Sequence, residues 1–310
     1  MKQVDIKGII VPIVTPFNED ESVNTDELRR QVDRQIEAGI HAIFPFGAGI
    51  HAIFPFGTNG EGYILNGEDK KLVLETVIDQ VAGRVPVYAG SGCISTKETI
   101  EQSKMAEAAG ADVLSIITPS FAKASQAELI THYETVAAAV PDMPIVLYNI
   151  PARTGNKIEP ETVAKLAQVD NIVGAKDSSG DWDNLSAYID LTRDIDFSVL
   201  SGNDALILKA LQYGATGSIA GCANVYPHNM VGIYENWKKG DLEAAQKCQD
   251  AVAPLRSVFK YGNPNTVVKT AVRLLGYPVG LCRAPFNQLP DEGIEALKQV
   301  LADDKAKGMC

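Results

Sequence analysis

Residues Pro144–Ser179 read PIVLYNIPARTGNKIEPETVAKLAQVDNIVGAKDSS. The stretch opens on a near-continuous apolar run, Pro144–Pro151, and closes on another, Ile172–Ser179. Between them, Glu159–Gln168 places apolar residues at helical spacing beside a polar face. A short unbroken apolar run is how a strand buried on both faces reads. The unit is therefore strand, helix, strand. Outward from it, similar runs recur at Gly8–Phe17, the His-Ala-Ile-Phe-Pro-Phe segment, Pro86–Gly92, Asp112–Pro119, Phe197–Asp204 and Gly217–Asn224. Helical stretches fall between them, at Thr25–Ala38, Glu68–Val81, Thr96–Ala109, Gln126–Val140, Trp182–Thr192 and Asp204–Tyr213. Strands alternating with helices eight times over predict an α/β protein, a (β/α)8 TIM barrel, with an open doubly wound sheet as the alternative. No GxGxxG follows the first strand, which counts against the doubly wound form.

The remaining chain reads as helical over Pro227–Lys238, Leu242–Val258, Thr266–Leu275 and Asp291–Ala306, with Asp241 and Asp291 as start signals. The expected organisation is a barrel core over residues 1–226, then the last barrel helix and a C-terminal helical extension over 227–310. One local anomaly interrupts the pattern. Ala38–Gly47 reads AGIHAIFPFG, and Ala48–Gly57 repeats it. Two copies of ten residues match no solenoid period. Only one can be the second strand, and the second copy is expected there. That choice leaves the surplus in a helix-to-strand loop, where insertion has a modest entropic cost.

Bulk properties narrow the function classes. The 310 residues carry a net charge of −11, and an acidic surface repels phosphate backbones, so nucleic acid is not an expected partner. Cys93, Cys222, Cys248, Cys282 and Cys310 are scattered without a CxxC pair, so neither a disulfide framework nor a zinc site is expected. Reduced thiols and the lack of a signal-peptide pattern make the cytoplasm the expected location. No apolar run approaches the ~20 residues of a membrane helix. His41, His51, His132 and His228 show no HxH or HExxH spacing, so no metal is expected.

In a barrel, chemistry sits at the C-terminal strand ends. Lys176 interrupts the apolar run Ile172–Ala175. Lysines are rarely buried without a purpose, burial disfavours the ammonium form, and a neutral amine can attack a ketone to form an imine. The plain alternative is an amine reaching solvent or pairing with Asp177. Tyr148 ends the preceding strand, where a phenol could relay a proton; it could equally be a core aromatic. The turn Gly57-Thr58-Asn59-Gly60-Glu61-Gly62 offers N–H groups and the Thr58 hydroxyl to a carboxylate, or simply reverses the chain with Glu61 bracing it. Arg153 could supply a planar fork to a second carboxylate, or form a surface ion pair. Gly214, Gly217 and Gly221 could cradle a phosphate, or serve close packing.

The segments GTNGEG (Gly57–Gly62), YNIPARTG (Tyr148–Gly155), GAKDSSGD (Gly174–Asp181) and SGND (Ser201–Asp204) resemble the dihydrodipicolinate synthase / N-acetylneuraminate lyase superfamily of Schiff-base aldolases. The likeness runs from about residue 5 to residue 305. It implies a barrel with a C-terminal helical region, no metal or organic cofactor, and a homotetramer or dimer. It also implies that Lys176 forms the imine with pyruvate and that Tyr148 transfers protons with Thr58 beside it. Thr58 and Asn59 would hold the carboxylate, and Ile219 would wall the pocket. Arg153 matches the arginine with which the synthases hold their aldehyde substrate. Two positions depart: Phe121 stands where the synthases carry a second tyrosine, and Asn59 replaces one of a threonine pair. KDSSGD resembles members that cleave 2-keto-3-deoxy sugar acids or hydroxy-oxoglutarate.

The expected function is accordingly a lyase, a class I aldolase acting on pyruvate and a 2-oxo acid of that type, with an aldehyde as the other partner. The runner-up is 4-hydroxy-tetrahydrodipicolinate synthase, which condenses pyruvate with aspartate semialdehyde. A phosphate- or flavin-binding barrel and a non-catalytic 2-oxo acid-binding barrel are the rivals from other classes.

Overall fold

The computed structural model describes residues 4–38 and 52–309. Among the described residues eight strands occur in chain order: β1 Gly8–Val11, β2 Ala52–Ile53, β3 Tyr88–Gly90, β4 Val113–Ile117, β5 Ile145–Asn149, β6 Ile172–Asp177, β7 Ser198–Ser201 and β8 Gly217–Ile219. Helices alternate with them, in the order of a (β/α)8 TIM barrel, and further helices follow β8. The strands pair in parallel. Each strand lies inside a predicted apolar run, but the hydrogen-bonded cores are shorter, down to two residues in β2.

The chain divides into two compact units. In the first, residues 4–8 and 86–219, strands β3 to β8 pair in sequence order, and Gly8 N–H donates to Thr216 O at 3.0 Å. Every residue of β5 is buried, as expected of a strand covered on both faces. In the second unit, residues 9–38, 52–85 and 220–309, Ile10 and Val11 pair with Ala52 and Ile53. Ala220 N–H donates to Ile10 O at 2.9 Å. The second copy of the duplicated decapeptide therefore supplies β2. Residues 39–51, which hold Ile43 and Phe44 of the first copy, lie outside the described residues.

Local chemistry sets the helix ends. Asn24, Asn66, Ser95, Ser125, Asp181 and Asp241 each accept a backbone N–H of the following first turn, satisfying donors that a helix start leaves orphaned. Gly110 and Gly240 close helices in the left-handed conformation. Two expectations are corrected. The helix predicted over Leu242–Val258 is broken into Leu242–Asp250 and Ala253–Ser257, because Pro254 has no N–H and its ring clashes with the preceding turn. The helix predicted to begin at Thr266 starts at Pro264, where a fixed φ suits the first turn. Among the described residues no helix is long and apolar enough to cross a membrane, and no group of three or more His, Cys, Asp or Glu could hold a metal ion.

Candidate active site

In the first unit, β5 and β6 pair so that Tyr148 stands opposite Lys176 and Asn149 opposite Asp177. Side chains at paired positions of neighbouring strands share a face of the sheet, so the register brings amine and phenol together. Lys176 is 4% and Tyr148 3% exposed, which excludes an amine reaching into bulk water. The Lys176 Nζ lies 3.8 Å from the centre of the Tyr148 ring.

The next strand closes on the lysine stem. Gly202, just after β7, donates its N–H to Asp177 O at 2.7 Å. A Cβ at Gly202 would stand 2.9 Å from Lys176 Cε and 1.9 Å from Ser178 Oγ, so the chain can pass this close only without a side chain. Asp177 points into a polar clasp. Its carboxylate accepts from Asn149 Nδ2 and Ser179 Oγ, each at 2.7 Å, while Asn149 Oδ1 accepts from Ile158 N–H at 3.0 Å. Burial holds this carboxyl above its ordinary range, against the hydrogen bonds from Ser179 and Asn149. The alternative in which Asp177 is the partner of Lys176 is thus answered by a different set of donors around Asp177. The clasp joins the ends of β5 and β6, one residue beyond Tyr148 and Lys176.

Ile219 ends β8 and is buried. Arg153 is exposed on a one-turn helix, Pro151–Thr154, that follows β5. That turn is firmly held: Thr118 Oγ1 donates to Thr154 Oγ1 at 2.8 Å. Asn156 bonds Pro119 O, Ala122 O and Ala124 N, all at 2.8 Å. The loop so fixed carries Phe121 at φ 77° and 99% exposed.

In the second unit, Thr58 and Asn59 are half-buried in the loop after β2. Glu61 N–H donates to Thr58 O at 3.2 Å and Gly62 N–H to Gly57 O at 3.4 Å. Thr15 Oγ1, at the end of the first predicted apolar run, donates to Gly60 O at 2.7 Å. A Cβ at Gly62 would meet Phe56 O at 2.3 Å, which explains the glycine. Glu61 does brace the turn. It is fully buried, accepts from Lys269 Nζ at 2.7 Å and from Arg283 N–H at 2.9 Å.

Lys269 escaped the sequence reading, although the signal was present. It interrupts Thr266–Val272, TVVKTAV, much as Lys176 interrupts β6. The two buried lysines differ in their surroundings. The Lys269 amine is bonded to a carboxylate, whereas the Lys176 amine lies over a phenol ring. Burial pulls Lys269 below the usual lysine range, with the Glu61 charge opposing that pull.

The chain that carries this lysine–tyrosine pair and this glycine-rich turn has counterparts among known proteins. The family model described as the dihydrodipicolinate synthetase family matches residues 5–304. A 4-hydroxy-tetrahydrodipicolinate synthase of Methanopyrus kandleri is 41% identical over 96% of this chain and 95% of its own length. The protein of that name from Methanoculleus marisnigri is 40% identical over 96% and 99%. Among solved structures, the chloride-inhibited dihydrodipicolinate synthase of Acinetobacter baumannii, complexed with pyruvate, superposes with a TM-score of 0.91 at 32% identity, covering 99% of this chain and 100% of its own. With a match this complete in length and in fold, the chain belongs to the dihydrodipicolinate synthetase family.

Proposed function

We propose that the chain is a class I, Schiff-base lyase that condenses pyruvate with aspartate semialdehyde, a 4-hydroxy-tetrahydrodipicolinate synthase. The observation that carries the reading is the buried Lys176 amine 3.8 Å from the Tyr148 ring. Relatives at about 40% identity bearing that synthase name support the substrate pair, and they favour it over the 2-keto-3-deoxy acid cleavage that KDSSGD suggested.

The chemistry follows from the residues. The Lys176 nitrogen attacks the pyruvate keto carbon, and water leaves as the imine forms. The protonated imine draws electrons from the neighbouring methyl group, which loses a proton to become an enamine. The enamine carbon then bonds to the aldehyde carbon, whose oxygen takes a proton, and the amino group of the semialdehyde attacks the re-formed imine carbon, closing the ring and displacing the Lys176 nitrogen. Tyr148, with Thr58, carries protons in these steps. Thr58 and Asn59 hold the pyruvate carboxylate, Arg153 takes the carboxylate of the semialdehyde, and Ile219 walls the pocket. On this reading the chain works in the cytoplasm as a homotetramer or dimer and uses no metal or organic cofactor.

Borohydride reduction in the presence of pyruvate tests the reading. Wild type should gain the pyruvate-derived mass at Lys176, and Lys176→Met should gain none. An unmodified wild type that is well folded would refute it. A second reading, aldol cleavage of a 2-keto-3-deoxy acid, is favoured by Phe121, which brings no hydroxyl where the synthases carry tyrosine. Pyruvate release from a panel of such acids, beside condensation with aspartate semialdehyde, separates the two.

A further inference from the structure

The turn assigned to the pyruvate carboxylate is held from far away in sequence. Glu61 adopts φ 56°, a left-handed conformation that residues with a side chain rarely take and that persists only where the surroundings enforce it. Both carboxylate oxygens are engaged: Oε1 accepts from Lys269 Nζ at 2.7 Å and Oε2 from Arg283 N–H at 2.9 Å. Their partners are themselves fixed. Lys269 belongs to the helix Pro264–Leu274 and lies 4.0 Å from the centre of the Phe17 ring. The Arg283 side chain bonds Asp69 at 2.5 Å and Glu21 O at 2.7 and 3.0 Å, and Ala284 N–H donates to Glu21 Oε1 at 3.0 Å. The segment that reaches Glu61 is thus anchored at the contacting residue and at the one after it.

We propose that Glu61 and Lys269 are positioning residues, a buried ion pair through which the C-terminal segment sets the backbone of the Thr58–Gly62 turn for a substrate carboxylate. A buried ion pair is a poor stability device, since two well-packed apolar residues usually do as well. What it offers instead is directional geometry. Glu61 N–H donates to Thr58 O, so the residue that receives Lys269 and Arg283 also closes the turn on Thr58. Preorganised N–H groups bind an anion without reorganising first, and a turn that drifts loses that advantage.

The inference rests on the function proposed above, and its test separates the two. Amide hydrogen exchange is measured without substrate over residues 57–64 and over β6, for wild type and Glu61→Gln. Steady-state kinetics with pyruvate follow on both. In Glu61→Gln the side chain keeps one acceptor oxygen, and the new amide NH2 faces either the Lys269 ammonium or the Arg283 N–H, donor against donor, leaving that group without its acceptor. Exchange over 57–64 should quicken at least about tenfold beyond any acceleration over β6, whose core amides report the loss of global stability. The KM for pyruvate should rise about tenfold with kcat held within about threefold. Unchanged exchange over 57–64, acceleration spread evenly through the protein, or an unaltered KM beside a loosened turn would each overturn the proposal. Should Glu61→Gln fail to fold, the double variant Glu61→Gln/Lys269→Met removes both charges; wild-type exchange and KM in that protein would overturn it equally. A wild type that forms no borohydride adduct at Lys176 would refute the function reading, while the exchange result still decides the brace.

Discussion

Replacing Gly202 by alanine tests how closely the lysine stem is packed. The alanine Cβ would lie 1.9 Å from Ser178 Oγ, 2.9 Å from Lys176 Cε and 3.0 Å from Asp177 O. Gly202 does not sit at positive φ, so the substitution strains contacts and not the backbone conformation. The Ser178 hydroxyl can rotate away. Asp177 O has less freedom, being hydrogen-bonded to Gly202 N–H itself at 2.7 Å. Lys176 Cε must retreat by about 0.5 Å to reach the 3.4 Å at which ordinary contact begins. Overpacking of this kind costs about 1–3 kcal/mol, which for a chain of this size lowers Tm by a few degrees. A displacement of ~1 Å can cost about a hundredfold in rate, so half of that corresponds to about tenfold. The assay is the rate of borohydride-trapped adduct formation at saturating pyruvate, measured beside thermal unfolding. The double variant Ser178→Ala/Gly202→Ala removes the shortest clash. It should recover about 1 kcal/mol of stability yet remain slow, because the Cε contact persists. A Gly202→Ala protein that traps pyruvate at the wild-type rate would refute the claim that this contact sets the amine's position.

Tyr148→Phe keeps a ring beneath the amine and removes only the hydroxyl. It should fold normally and lower kcat by about 10²–10⁴; an unchanged kcat would remove Tyr148 from proton transfer. Asp177 carries a pH prediction. Because burial raises its carboxyl pKa in the folded state, the native protein binds more protons than the unfolded chain above pH ~4, and stability falls as pH rises through that window. Denaturant titrations of wild type and Asp177→Asn between about pH 4 and 7 should show wild type losing ground as pH increases, and a constant difference would contradict the shift. Glu61→Gln strands a buried ammonium and should destabilise by about 3–5 kcal/mol, whereas Glu61→Gln/Lys269→Met should recover most of that loss. Equal unfolding midpoints for the single and double variants would argue against the pair.

Periodicity alone located every strand and most helices, since burial on both faces or on one stripe is written into local spacing. It also placed Tyr148 and Lys176 at the ends of consecutive strands, but their pairing depends on a register shift between Ile145 and Val146 that spacing does not show. The helix break at Pro254 was legible too, had the proline been weighed above the apolar spacing around it. The sequence marked Lys269 as another lysine in an apolar run, but could not say that its partner is Glu61, 208 residues away.

Local chemistry thus determined the elements, their order and the candidate nucleophile. The fold alone decided which buried lysine is neutralised by a carboxylate and which lies over a phenol, and why residue 202 must lack a side chain. Hydropathy and its spacing are carried by each residue in its own neighbourhood of sequence. A partner is chosen only when distant segments are brought within a hydrogen bond's reach.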